Sequence, residues 1–350
     1  MIEEEDKVSA PAGLDGEETD DLFEHLKITV EGGVKLLRID KYLLGRMPQT
    51  SRNRIQVAAK AGSILVNQTP VKSNYRVKPF DEISLVLPYP VRDTETKGEN
   101  IPLEIVYEDE TLIVLNKAAG MVSHPGHGNY TGTLVNALVY HFDNLPANKS
   151  NDVSRPGLVH RLDKFTSGIM VIAKTEVALT HLSKQFFDRT SERTYYALVW
   201  GNPKNEKGTI TGNIGRSLRD RKVFTVFEDG LNGKHAVTHY EVIKNYPYVS
   251  LIKCKLETGR THQIRVHLKH IGHPLFNDKE YGGDAILRGN TSGSYKQFIE
   301  NCFTLIPGQA LHAKTLGFMH PEKNEFMQFD SELPEGFLRL LDKWEKLNKP

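Results

Sequence analysis

The chain has 350 residues, 39% of them apolar, and 45 basic against 44 acidic side chains for a formal charge of +1. That length predicts two domains plus tails rather than one. No run approaches the roughly 18 apolar residues of a membrane helix, and the two distant cysteines, Cys254 and Cys302, argue against a disulfide framework or a cysteine zinc site.

Residues 1–25 hold ten acids and one lysine, a net −9, which leaves +10 for the rest of the chain. The stretch reads as a disordered acidic tail. It lacks the basic start and apolar run of a secretion signal, so the cytoplasm is the expected compartment. The basic remainder suits either a polyanion partner or a solvated surface. Residues 26–90 read as a small α/β module. Leu36, Ile39, Leu43 and Leu44 have helical spacing, with Pro48 as the stop. Ser51 is placed to cap a second helix with Ile55, Ala58 and Ala59 inward and Gly62 at its end. Strands are expected at 63–66 and 81–87, with a turn at 67–70. Residues 91–100 read as a linker that begins around Pro88.

From 101 to 333 the pattern is rich in strands, expected at 104–107, 112–115, 169–173, 195–200, 238–242 and 249–256. Helices are expected after Thr175, with Ala178, Leu179, Leu182 and Phe186 inward, and over 263–271, stopped by Gly272. Strands and helices do not alternate strictly, which predicts an α+β fold with a mainly antiparallel mixed sheet. Residues 334–350 read as a terminal helix or tail.

Three stretches carry chemistry. In 157–168, Gly-Leu-Val-His-Arg-Leu-Asp-Lys-Phe-Thr-Ser-Gly, the acid Asp163 lies between Arg161 and Lys164 on a loop feeding a strand. Neighbouring cations favour a charged carboxylate, although a structural turn-capping aspartate has the same look. Residues 257–267 enter a helix with His262 and Arg265 three apart, placed to pair with a carboxylate, hold a phosphate, or simply support the fold. His262 and His267 are five apart with no acid between them, off the spacing of a helical metal pair, so no metal is expected. In 193–200, strand alternation puts Tyr195, Ala197 and Val199 on one face and Tyr196, Leu198 and Trp200 on the other. In the small module, Arg52, Arg54, Lys60, Lys72 and Arg76 form either a phosphate-binding face or a solvated one.

In order along the chain, His160-Arg161-Leu162-Asp163 with Thr166-Ser167-Gly168, then Tyr195, then Gly259-Arg260-Thr261-His262-Gln263-Ile264-Arg265, resemble the RluA-type RNA pseudouridine synthases, and within them the branch acting on large-subunit ribosomal RNA. Residues 36–87 resemble the RNA-binding module first described in ribosomal protein S-four. The resemblance implies that Asp163 is the catalytic carboxylate, that Tyr195 lies under the target base and acts at its carbon five, and that Arg265 pairs with Asp163. It implies that Leu311 packs on the flipped uracil and that Arg161 fills the space the uridine leaves. His160, Arg260 and His262 are expected around the substrate. Phe165 stands where the family commonly has an acid. The implied reaction is an isomerisation of uridine to pseudouridine in a structured RNA, with no cofactor and no membrane partner. A non-catalytic RNA-binding or ribosome-assembly protein on the same fold, or a nucleoside glycosidase, would share parts of this pattern.

Overall fold

The computed structural model describes residues 23–347 apart from 35, 48–49, 88–95, 127, 143–144, 147–155, 229, 231 and 292. Most of the expected acidic tail, Pro48 and the first part of the expected linker therefore fall outside the described residues. The chain divides into two compact units, residues 1–94 and 95–350.

In the small unit, strands β1 (Phe23–Thr29), β2 (Ile64–Val66), β3 (Thr69–Pro70) and β4 (Glu82–Leu87) form a sheet in the order β1-β4-β2-β3. Helices α1 (Ile39–Leu44) and α2 (Arg52–Lys60) contribute Ile39, Tyr42, Leu43, Ile55 and Ala59 to a core with Ile64, Val66 and Ile83. The Ser51 side chain caps α2 by accepting from Arg54 N at 3.4 Å. Asn67 and Gln68 both have positive φ, the tight-hairpin geometry that joins β2 to β3. The first helix is shorter than its apolar spacing predicts. Leu36 lies before it and is exposed, because the chain there pairs with the segment around Arg76 instead.

The large unit is built on one ten-stranded sheet. Its strands are β5 (Glu104–Glu108), β6 (Leu112–Lys117), β7 (Ser167–Ala173), β8 (Glu192–Trp200), β9 (Lys207–Arg216), β10 (Phe224–Phe227), β11 (Lys234–Asn245), β12 (Val249–Leu256), β13 (Leu311–Met319) and β14 (Phe326–Asp330). The order is β10-β9-β11-β12-β8-β13-β7-β6-β5, with β14 beside β13. Every pairing is antiparallel except β13 with β7, so the sheet is mixed but mainly antiparallel.

Strand alternation sorts the two faces. On one, Met170, Ile172, Tyr195, Ala197, Leu311 and Ala313 pack with helices α3 (Leu134–His141) and α5 (Gln263–His270). On the other, Ile169 and Val171 pack under α4 (Glu176–Asp188), and Leu198 and Trp200 pack under α6 (Gly293–Phe303) and α7 (Glu335–Leu347). Thr175 caps α4 by accepting from Ala178 N at 3.2 Å. Helix α7 occupies the stretch expected as a terminal helix or tail, and it is part of the core: Phe337, Leu340 and Trp344 are all buried. Each such side chain contributes about 1.5–3 kcal/mol by leaving water.

One glycine positions the centre of the sheet. Gly168 has φ +117, and a Cβ there would lie 2.2 Å from the carbonyl oxygen of Ala313. Only a residue without a side chain lets β7 enter its parallel pairing with β13 at this point. The loop immediately before β7 is thereby held at the sheet's centre, next to β13 and β8.

Candidate active site

Asp163 lies on that loop, and the backbone on both sides of it is pinned. The Ser123 hydroxyl donates to Leu162 O at 2.8 Å and accepts from Leu162 N at 3.3 Å. Thr166 N closes a turn on Asp163 O at 3.1 Å, and Gly120 N donates to Lys164 O at 2.8 Å. Lys117 braces the loop from below. Its buried amine donates to Ala118 O and Met121 O at 2.8 Å and to Lys164 O at 3.3 Å. Burial pushes this amine down to about 7, against the opposing pull of the Asp163 charge.

With its backbone fixed, the Asp163 side chain is 18% exposed and faces a cleft of about 580 Å³. The cleft is walled by the 159–166 loop, the end of α4, the first residues of β8, the 256–265 segment and Leu311. The cation against Asp163 is not one of its chain neighbours. Lys164 reaches Asn129 Oδ1 at 3.2 Å, and Arg161 is exposed on the cleft wall. The partner is Arg265, whose Nη1 lies 3.3 Å from Asp163 Oδ2.

Arg265 is itself clamped. Its Nε and Nη2 donate to the two oxygens of Asp278 at 2.7 Å each, and Nη2 also reaches Glu280. Burial works against the Arg265 charge, but Asp278, Asp163 and Glu280 outweigh it and raise its affinity for the proton. Two parallel bonds to one carboxylate fix the guanidinium plane, so the third nitrogen is aimed at Asp163 rather than free to swing. Asp278 and Glu280 were absent from the sequence reading. They stand well beyond the motif that carries Arg265, and the only signal for them is the general need of a buried guanidinium for an anion.

His262 completes this side. It sits before α5 with φ 56, in the left-handed region, and its Nε2 lies 3.9 Å from Asp163 Oδ1. Its Nδ1 is 2.8 Å from the Tyr281 hydroxyl, which also accepts from Phe224 N at 3.2 Å. When that hydroxyl donates its proton to Nδ1, the imidazole carries its own on Nε2, the nitrogen facing Asp163. Burial lowers the His262 proton affinity and the Asp163 charge opposes it. Gln263 holds the turn in place: its Oε1 accepts from Thr258 Oγ1 at 2.7 Å and Arg260 N at 3.0 Å, and its Nε2 donates to Val237 O at 2.9 Å.

The floor is apolar. Tyr195 pairs with Ala313 and Ala197 with Leu311 across β8 and β13, so Tyr195 and Leu311 share one face and both line the cleft. Tyr195 is buried; burial raises its hydroxyl's proton affinity, and of the two nearby charges Arg193 lowers it while Asp163 raises it. A protonated phenol therefore lines the cleft at neutral pH. His160 lines the cleft, but its ring stacks on Phe186 at 4.5 Å and its Nε2 accepts from Val171 N at 3.1 Å, which ties it to β7. Arg260 borders the cleft with its Nε on His235 O at 3.0 Å. Phe165 packs against Gly308, where a Cβ would lie 2.5 Å from its ring. Arg193 is a buried cleft residue to which the sequence reading gave no role.

All five cations singled out in the small unit, Arg52, Arg54, Lys60, Lys72 and Arg76, are exposed. Arg52 is also tied into the fold: its Nε and Nη2 donate to the buried Asp40 at 3.2 and 3.0 Å.

Residues 111–270 match the RNA pseudouridylate synthase family, and residues 37–83 match the S4 domain. An uncharacterized RNA pseudouridine synthase of Chlorobaculum parvum is 47% identical over 308 residues, 88% of this chain and 94% of that one. A ribosomal large subunit pseudouridine synthase D of Zymomonas mobilis is 40% identical over 300 residues, covering 85% and 90% of the two chains. Among solved structures, human RNA pseudouridylate synthase domain containing 4 is similar with a TM-score of 0.52 and 25% identity, over 69% of this chain and 93% of that one. With a pinned aspartate and Tyr195 lining one cleft of this sheet, and an S4 domain in the same chain, the chain belongs to the RNA pseudouridine synthases, isomerases that act on RNA.

Proposed function

We propose that the chain converts specific uridines of large-subunit ribosomal RNA to pseudouridine in the cytoplasm, with Asp163 as its catalytic carboxylate. The observation that carries this reading is the aim of Asp163. Its carboxylate faces a cleft of about 580 Å³, within the roughly 300–1,000 Å³ usual for small-ligand sites, with the Arg265 guanidinium 3.3 Å behind it. The relatives named as ribosomal large subunit pseudouridine synthase D, at about 40% identity over most of the chain, support the choice of RNA.

The target base has to leave its stack to reach such a cleft. Tyr195 and Leu311 offer it an apolar floor, and Arg161, exposed on the wall, is placed to fill the gap left in the RNA. Cleavage of the bond between uracil N1 and ribose C1′ builds positive charge on the sugar, as in glycoside hydrolysis. Asp163 answers that charge either by bonding C1′ or by taking the C2′ proton. Both routes use a carboxylate oxygen of Asp163, and Arg265 holds the other oxygen in place at 3.3 Å. The freed uracil turns and bonds C1′ through carbon five; this releases Asp163 from C1′ on the first route and returns the C2′ proton from Asp163 on the second. The proton on carbon five then leaves and N1 gains one, an exchange in which Tyr195 of the floor can take part by giving up its phenolic proton as it accepts the other. Substrate and product are isomers, so the electrons balance without an external oxidant or reductant. The exposed Arg54, Lys60, Lys72 and Arg76 of the S4 unit supply phosphate contacts that position the RNA without reading its bases.

The test is Asp163→Asn in purified protein with large-subunit ribosomal RNA from cells lacking the enzyme. We expect RNA binding to persist and pseudouridine formation, mapped by mass spectrometry, to vanish. Turnover by the variant would remove Asp163 from the chemistry. Release of free uracil by the wild type would make the protein a glycosidase.

A further inference from the structure

The cleft contains two buried arginines in very different circumstances. Arg265 is 4% exposed and has three carboxylates around it. Arg193 is 8% exposed, and among the described residues no carboxylate stands within ion-pair distance of it. Its buried Nε has no hydrogen-bond partner among the described residues. Two of its neighbours are uncharged: its Cζ lies 5.3 Å from the centre of the Phe186 ring, and Gly259 leaves room for Nη1 where a Cβ would come within 3.2 Å. Its positive field reaches His160 and Tyr195, whose proton affinities it lowers. A buried guanidinium without a counter-ion is a large, uncompensated cost to the fold. Arg193 nevertheless lies on β8 two residues before Tyr195, on the same strand face, and opens onto the same cleft.

We infer that Arg193 is the phosphate-binding residue of the cleft, its guanidinium receiving the phosphodiester beside the everted nucleotide. The inference rests on the reading of this cleft as an RNA site. Neutral acceptors such as the uracil carbonyls would satisfy N–H groups but leave the charge unbalanced; an RNA phosphodiester does both, with two oxygens matched to the guanidinium fork. Cost in the free protein is thus exchanged for hold on the substrate. The phosphate fixed by Arg193 sets how far the nucleotide descends towards Tyr195, which makes Arg193 a positioning residue for the base.

Arg193→Met and Arg193→Lys in the full chain test this, with deproteinised ribosomal RNA as the probe. Three quantities are read: melting temperature of the free protein, RNA affinity as a function of salt, and the rate of pseudouridine formation. For Arg193→Met we expect a melting temperature equal to or above wild type and affinity lower by about tenfold. The slope of log affinity against log salt should shrink by about 0.7–0.9, the share of one phosphate contact. Arg193→Lys should restore the slope. A lower melting temperature with an unchanged slope would make Arg193 a structural cation. Lower affinity with an unchanged slope would assign it to a neutral acceptor. Either result overturns the inference. Wild-type protein that binds this RNA and forms no pseudouridine would sink the ribosomal reading instead, and the slope comparison would still decide Arg193.

Discussion

Asp40 in the small unit and Asp163 in the large one are both aspartates set against arginine. Asp40 is fully buried and receives five hydrogen bonds: two from Arg38, two from Arg52 and one from Gln56, at 2.9–3.2 Å. Among the described residues, the Asp163 carboxylate receives one, at 3.3 Å, and keeps 18% of its surface open to the cleft. The difference lies in where the arginines are committed. Arg38 and Arg52 both turn to Asp40, while Arg265 gives its two best bonds to Asp278. Saturated, a buried carboxylate is a knot in the fold; one left short of partners beside a cavity keeps its oxygens for a substrate.

The largest contrast should come from removing each charge. Asp163→Asn should cost all activity and, measured by denaturant unfolding, less than about 0.5 kcal/mol of stability. Asp40→Asn should cost about 3–5 kcal/mol, the range for breaking a buried ion pair, while the folded fraction still turns over. Equal stability losses in the two variants would erase the distinction. Asp278→Asn should come next. Freed from its clamp, Arg265 would settle closer to Asp163; turnover should fall by roughly 10²-fold, the effect of a misplacement near 1 Å, with about 1–3 kcal/mol of stability lost. Unchanged turnover would mean that the aim of Arg265 does not depend on Asp278.

The same contrast explains what could be read from the chain. Asp163, Arg265, Tyr195 and Leu311 are brought into one cleft, and the strand alternation that put Tyr195 opposite Trp200 holds across β8. Local rules carried the caps at Ser51 and Thr175 and the turn at Asn67-Gln68, because those depend on a few adjacent residues. Partner choice was not legible. Arg161 and Lys164 flank Asp163 in sequence, yet its cation comes from 102 positions away. The hold of Arg52 on Asp40 was not legible either, because the two lie twelve residues apart on different helices. Arg193 and Asp278 carry no local pattern that separates them from any surface charge; burial alone singles them out.

Acid titration separates the two regions with a smaller effect. Burial pushes the Asp40 carboxyl up, but bonds from Gln56, Arg38 and Arg52 bring it down to about 2. A lowered carboxyl contributes stability that is full above its unfolded value near 3.9 and is lost as pH falls through 2. His160, beside the cleft, is lowered to about 3, first by burial and then by Arg193, and its Nε2 must stay unprotonated to accept from Val171. Its contribution is full above about 6.5 and declines as pH drops towards 3, by up to roughly 1.4 kcal/mol per pH unit. His160→Gln should therefore flatten the stability curve between pH 6 and 4 by roughly one proton's worth of slope, and Asp40→Asn should flatten only the part below about 4. A His160→Gln curve parallel to wild type would show that His160 titrates normally.

The smallest effect compares Arg52 with Arg54, two residues apart on α2. Both are cations near the start of the same helix, and only Arg52 has a buried carboxylate to hold. Arg54→Ala should leave stability within about 0.5 kcal/mol and lower RNA affinity only several-fold, with the salt slope reduced by about one contact. Arg52→Ala should do the opposite: it removes two of the five bonds to Asp40, costs about 1–3 kcal/mol in unfolding, and leaves the slope where it was. A slope that drops equally in both variants would mean that Arg52 still spares a nitrogen for phosphate, and that holding a buried carboxylate does not withdraw an arginine from RNA.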